Sequence, residues 1–195
     1  MYMGMGGDFF DGSKPTLNNA MGVRTLEMMR NLTHYMDPEY LVADSTYVQQ
    51  QFQQGKIAMA VLGATRAAAM DDAKESQVVG KVKMAAAPSP VSGALPASTL
   101  WWDGVVLAKN ITDQQADEAF QLLMEGIDRE MVTNNNDAAV WLINGYNPGP
   151  MAMGAAETAE NGALPYPNGV EMGLMHTALG NNVADFLTDK ETAEQ

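Results

Sequence analysis

The sequence predicts an α/β protein. Helix-period apolar stripes alternate along the chain with short uninterrupted apolar runs, and Gly or Pro punctuates the boundaries between them. The clearest pair is at 105–124, where a short apolar run leads into a helix that begins with a Thr-x-x-Gln capping box. About forty residues upstream, Gly55-Lys56-Ile57-Ala58-Met59 ends a Gln-rich helix and opens a second apolar run.

Taken in order, residues 1–10 are rich in Gly and Met and lack periodicity, and Asp11-Gly12-Ser13-Lys14-Pro15 reads as a turn. A helix is predicted over 17–36, where Val23, Leu26, Met29, Leu32 and Met36 recur at three- and four-residue steps. It is expected to end at Asp37-Pro38, because proline disfavours helical geometry in the residue before it. A second helix is predicted over 45–54, with Val48 and Phe52 one turn apart and Gly55 as its stop. The run 57–62 is uninterrupted and apolar, which suits a strand covered on both faces. A short helix is expected at 67–75, and the alternation at 81–84 suggests a strand with one wet face.

The Pro/Ser/Gly stretch from Pro88 to Ser98 reads as a linker or crossover, followed by a strand at 105–108. Thr112 caps the next helix, and Ala116, Ala119, Phe120, Leu123 and Ile127 form its expected buried face. Further helices are expected at 128–134, 138–143 and 171–187, and another is expected to start at Asp189. Loops are expected at 144–150 and 162–169. The abrupt ending after Asp189 reads as a truncated fragment.

At 195 residues the chain is long enough for one substantial core or two small lobes. Its net charge of -13 argues against nucleic acid as a partner, since phosphates demand Lys and Arg clusters. The same charge disfavours anionic membrane surfaces. There is no cysteine, so disulfides, thiolate nucleophiles and Cys-based zinc sites are excluded. No stretch approaches the roughly 18 apolar residues of a membrane span, and no basic n-region of a signal peptide opens the sequence.

Phosphate-cradling Gly-x-x-x-x-Gly-Lys and Gly-x-Gly-x-x-Gly loops are absent, as is the Gly-x-Ser-x-Gly elbow. His34 and His176 do not stand at metal-ligand spacing, and Asp71-Asp72 reads as a solvated helix face. The sixteen methionines suit flexible core packing better than a metal site. No metal and no cofactor is expected. Asn134-Asn135-Asn136-Asp137 reads as a polar break between helices.

The collinear order of these pieces carries more than any one of them. A helix ending Phe52-Gln53-Gln54-Gly55-Lys56 precedes Ile57-Ala58-Met59, a Pro-bounded segment, an aromatic-Gly run and the helix from Ala116 to Met124. Asn147-Pro148-Gly149-Pro150 and Pro165-Tyr166-Pro167 then follow. In that order the chain resembles family 1 of the extracellular solute-binding proteins, the maltose-binding-protein-like sugar receptors of ABC importers.

The resemblance covers about the second half of a family member. It implies an incomplete periplasmic-binding-protein type II fold that lacks the first strands of the N-terminal lobe. In whole family members the solute is enclosed between two hinged lobes. On that basis residues 1–90 are expected to be a C-terminal-lobe segment. Residues 91–150 would carry the hinge crossing and an N-terminal-lobe segment, and 151–195 the closing helices returning to the C-terminal lobe.

The implied function is non-enzymatic. A sugar or polyol would be bound in the periplasm or outside the cell and delivered to the membrane permease of an ABC importer. The implied ligand-binding residues are Arg66, Trp101, Trp102, Asp103, Tyr146 and Asn147. A Trp face stacks on the C–H face of a sugar or on a cation. Adjacent strand residues point oppositely, so one of the two Trp residues faces the cleft, and Trp102 is favoured. Asp103 accepts from paired hydroxyls, while Tyr146 and Asn147 stand at the cleft rim.

Where the family often places an aromatic, this chain reads Gly63-Ala64-Thr65-Arg66, which puts a neutral oligosaccharide in question. Arg66 instead offers hydrogen bonds to hydroxyls or to an acidic ligand. Trp141 between apolar neighbours is expected in the core. A secreted or periplasmic glycan-processing enzyme using paired carboxylates is the alternative, and a scaffold fragment is a third reading.

Overall fold

The computed structural model of the chain describes residues 1–101, 103–141 and 143–193. The chain forms two compact units interleaved along the sequence. The first comprises Met1–Gln50, Ala87–Leu100 and Thr158–Gln195, and the second Gln51–Ala86 and Trp101–Glu157.

The first unit opens with a 3-10 helix, Met3–Met5, and the expected turn at Asp11 to Pro15 closes a small antiparallel hairpin. Its strands are β1, Phe10–Asp11, and β2, Lys14–Pro15, paired Phe10 to Pro15 and Asp11 to Lys14. Tyr2 is buried beside the hairpin with its ring centroid 5.4 Å from that of Phe9. Its hydroxyl donates to the Thr16 carbonyl at 3.2 Å and accepts from Asn19 Nδ2 at 2.9 Å. Asn19 Oδ1 in turn accepts from the Met21 and Gly22 N–H groups, so it caps helix α1, Ala20–Thr33.

Helix α1 is shorter than the predicted 17–36 at both ends. The Asn19 cap fixes its start, and the Tyr35 and Met36 amides bond three residues back, to Leu32 and Thr33, in a tightened exit turn. The expected stripe is also displaced. Gly22 and Thr25 are the buried residues, while Leu32 and Met36 are exposed. Gly22 lies against the Leu17 carbonyl, and α1 also packs on helix α6, Val170–Leu187, which buries Met172 and Phe186. Arg30 of α1 lies 4.8 Å above the Phe186 ring and pairs with Asp189 at 3.2 Å. The long Arg stem does the covering that the apolar stripe was expected to do. Asp189 starts no helix; it terminates α6 with a left-handed φ of 59°.

Two short strands outside the predicted set complete this unit. They are β3, Thr99–Leu100, and β4, Leu164–Pro165, which pair in parallel as Thr99 to Leu164 and Leu100 to Pro165. The Pro-rich stretch before β3 is irregular, as expected. It is tied down by the Leu95 N–H to the Gly4 carbonyl at 2.9 Å and the Ala87 N–H to Thr158 Oγ1 at 2.9 Å.

Helix α2, Ser45–Gln53, spans the boundary into the second unit and stops as predicted. Gly55 adopts φ 69°, and the Lys56 N–H returns to the Gln51 carbonyl at 3.0 Å, the left-handed cap that glycine takes without Cβ strain. Gln53 is buried, donates from Nε2 to the Ala69 carbonyl at 3.0 Å and accepts the Gln77 N–H at 2.8 Å.

The expected strands at 57–62, 81–84 and 105–108 are absent: these stretches have irregular backbone. Met59 is 87% exposed and Val106 88%, so neither run is covered on both faces. A strand draws its hydrogen bonds from a neighbour, and among the described residues none lies alongside these runs. The predicted helix at 67–75 is instead two 3-10 turns, Ala64–Arg66 and Ala68–Asp71, with Met70 buried.

Helix α3, Asp113–Gly126, carries the predicted capping box. Thr112 Oγ1 accepts the Gln115 N–H at 3.2 Å and Gln115 Oε1 accepts the Thr112 N–H at 3.0 Å. Its expected buried face is covered only in part: Ala116, Ala119 and Leu123 are half-buried, while Phe120 and Ile127 are exposed. Helix α4, Arg129–Asn134, is capped by Asp128, and Val132 is its buried anchor. Among the described residues of 138–143 no helix forms, and carbonyls here and just before accept from side chains instead. Trp141 Nε1 takes the Asn135 carbonyl at 3.0 Å and Tyr146 takes that of Ala139 at 2.8 Å. Trp141 is half-buried. Helix α5, Met153–Glu160, was not foreseen. Among the described residues no helix is long and apolar enough to cross a membrane.

Two stability differences follow. Replacing Thr112 with Ala removes both reciprocal bonds and is expected to cost about 1 kcal/mol in urea unfolding. Arg30→Ala loses a ring contact as well as an ion pair and is expected to cost about 1–2 kcal/mol. Asp189→Asn, which removes only the largely exposed ion pair, should cost less than about 0.5 kcal/mol. Equal losses for these last two would show that the ring contact contributes nothing.

Candidate functional site

The five described residues that the sequence nominates all lie in the second unit: Arg66, Trp101, Asp103, Tyr146 and Asn147. Trp102 lies outside the described residues. They occupy three short segments rather than one regular element.

The first segment begins where the chain leaves β3. It passes from the first unit to the second between Leu100 and Trp101. Trp101 is 69% exposed and Asp103 is exposed, on backbone that forms neither helix nor strand. An exposed indole and, two residues on, an exposed carboxylate offer a stacking surface and a hydroxyl acceptor on one segment. Arg66 ends the 3-10 helix Ala64–Arg66, half-buried, and the buried Met70 anchors the next turn. Its guanidinium brings a fork of donors, complementary to the acceptor carboxylate of Asp103.

The third segment, 144–150, is fastened by side-chain hydrogen bonds. The Tyr146 hydroxyl lies 2.8 Å from both the Asn136 and the Ala139 carbonyls. Burial, and then the nearby Asp137 charge, hold the phenol above its ordinary pKa. Its hydroxyl is therefore used by the protein, and the ring is what it has to present. Arg129 Nη2 donates to the Asn144 carbonyl at 3.3 Å. Asn147 is exposed.

Asp137, read from sequence as a polar break, accepts the Met151 N–H at 2.7 Å. Asp and Asn side chains commonly take over backbone groups in this way, but this partner is fourteen residues away, and no local pattern announces it.

Two concavities of the first unit contain none of the nominated residues. The larger, about 430 Å³, is lined by Tyr2, Asp8, Asp11, Thr16 and Asn19 among others. The smaller, about 210 Å³, lies between the opening residues and Tyr166, Pro167 and Met172. Among the described residues no group of three or more His, Cys, Asp or Glu side chains is placed to hold a metal ion.

Comparison with known proteins gives the chain its context. No curated protein matches it in sequence. In structure it is similar to an ABC transporter solute-binding protein from Agrobacterium radiobacter K84, solved in complex with ribitol, with a TM-score of 0.76 at 22% identity. The match takes in 99% of this chain and 51% of the other, so the chain spans about half the length of that relative. Its fold is therefore the α/β periplasmic-binding-protein type in incomplete form. The profile of the bacterial extracellular solute-binding proteins matches residues 1–123, well over half the sequence. The chain belongs to the bacterial extracellular solute-binding protein family.

Proposed function

We propose that this chain is part of a receptor that binds a small polar solute, a sugar or polyol, outside the cytoplasmic membrane and delivers it to the membrane permease of an ABC importer. The observation that carries the reading is the family match, joined to an exposed Trp101 and Asp103 just past the point where the chain changes compact unit. Residues 91–150 would carry the hinge crossing of such a receptor. The ribitol held by the structural relative supports a polyhydroxylated solute.

On this reading one of Trp101 and Trp102 supplies the stacking face, and Asp103 and Arg66 supply hydrogen bonds of opposite polarity. Asn147 adds a carboxamide, and Tyr146 presents its ring. An acceptor, a fork of donors and an apolar face together suit alternating hydroxyls and C–H groups better than a charged or wholly apolar ligand. The role is binding and release, with no bond made or broken.

Titration of the full-length protein with ribitol, other polyols and monosaccharides should quench Trp fluorescence saturably. Trp101→Ala is expected to weaken the best of these ligands about tenfold, the worth of one stacked ring. Asp103→Ala should cost about tenfold or more, as for a hydrogen bond to a charged group. Absence of saturable quenching across the panel, organic acids included, sinks the receptor reading.

A further inference from the structure

The loop that carries Tyr146 and Asn147 is fastened by groups that the receptor reading leaves unused. The Asp137 carboxylate accepts the Met151 N–H at 2.7 Å, just past the loop's end. Gly149 is buried flush against that carboxylate: a Cβ there would stand 2.2 Å from Asp137 Oδ1, so only glycine permits the approach. The Gly149 N–H donates to the Asn136 carbonyl at 3.3 Å, the same oxygen that Tyr146 approaches at 2.8 Å. Asn136 Nδ2 lies 3.4 Å from the Asn147 carbonyl.

These bonds hold the backbone on both sides of Asn147 and occupy the Tyr146 hydroxyl. The Asn147 side chain, by contrast, is exposed and makes no hydrogen bond among the described residues. A carboxamide both donates and accepts, and so does a hydroxyl, so this group can meet a polyol from either side. A loop ordered before the ligand arrives also avoids the entropy of ordering on binding.

We propose that Asp137 is a positioning residue for solute binding. Its hydrogen bond from the Met151 N–H, with Gly149 packed against the carboxylate, fixes the loop so that the Asn147 carboxamide, and not the Tyr146 hydroxyl, meets the solute. The proposal rests on the receptor reading above for the identity of the solute, and on the loop geometry for the clamp.

The test uses the full-length protein, ribitol as the probe, and amide hydrogen exchange measured without ligand. Asp137→Ala should raise exchange at Met151 and Gly149 by about tenfold or more and weaken ribitol about tenfold. Asp137→Asn, which keeps an acceptor oxygen in place, should restore both to within about threefold of the parent. Asn147→Ala should weaken ribitol about tenfold with exchange unchanged, and Tyr146→Phe should cost less affinity than Asn147→Ala.

Unchanged loop exchange in Asp137→Ala overturns the clamp. Raised exchange with unchanged ribitol affinity overturns the positioning role. If the parent binds no ribitol and no other polyol, the receptor reading and the presentation of Asn147 fall together, while ligand-free exchange in the two Asp137 variants still decides whether the clamp exists.

Discussion

The first compact unit is assembled from three separate stretches of chain, and the contact of Arg30 with Phe186 and Asp189 closes it. One guanidinium lies 4.8 Å over the Phe186 ring and 3.2 Å from the Asp189 carboxylate, 159 residues away in sequence. The charge pair alone is worth little at an exposed position. The stacked ring adds apolar and quadrupole contact, and this sets the face that α1 turns toward α6. On the same helix Gly22 and Thr25 are buried, while Leu32 and Met36 stay in water. The cap from Asn19 and the Tyr2 hydroxyl then join the start of the same helix to the opening hairpin.

The second unit relies on polar groups more than on apolar area. Its buried anchors are few, Met70, Val132 and Ala152 among them. Between these, side chains take over backbone groups: Gln53 bonds Ala69, Trp141 bonds Asn135, Tyr146 bonds Asn136 and Ala139, and Asp137 bonds Met151. Each such bond contributes only about 1 kcal/mol net, yet leaving a buried group unpaired costs more, so the network fixes loop conformation strongly. A binding protein gains from this arrangement, because segments with irregular backbone can display Trp101, Asp103 and Asn147 while staying ordered.

The residues proposed to meet the solute sit on loops and turns rather than in long helices. Connecting segments tolerate changes of side chain without disturbing the packed elements, so one scaffold can serve many solutes. On the proposed function, Arg66 in the loop after Met59 would be such a change. The apolar runs at 57–62 and 105–108 belong to the same account. They have the composition of covered strands, and they lack ladder partners among the described residues of a chain that spans about half of its structural relative.

What the sequence determined by itself were the features whose causes are local. The Thr112–Gln115 capping box, the Gly55 stop, the Asp11 to Pro15 turn and helices α2, α3, α4 and α6 all depend on residues within a few positions of one another. The order of those pieces was also enough to identify the family. Tertiary structure alone decided the rest: which face of α1 is buried, whether an apolar run becomes a strand, and how the 144–150 loop is held. Each of these turns on a partner that sequence spacing does not specify: Phe186 for Arg30, a neighbouring strand for 57–62, and Met151 for Asp137. Backbone hydrogen bonds and buried faces must be completed by some group, but local pattern fixes that group only when it lies within a turn or two of helix.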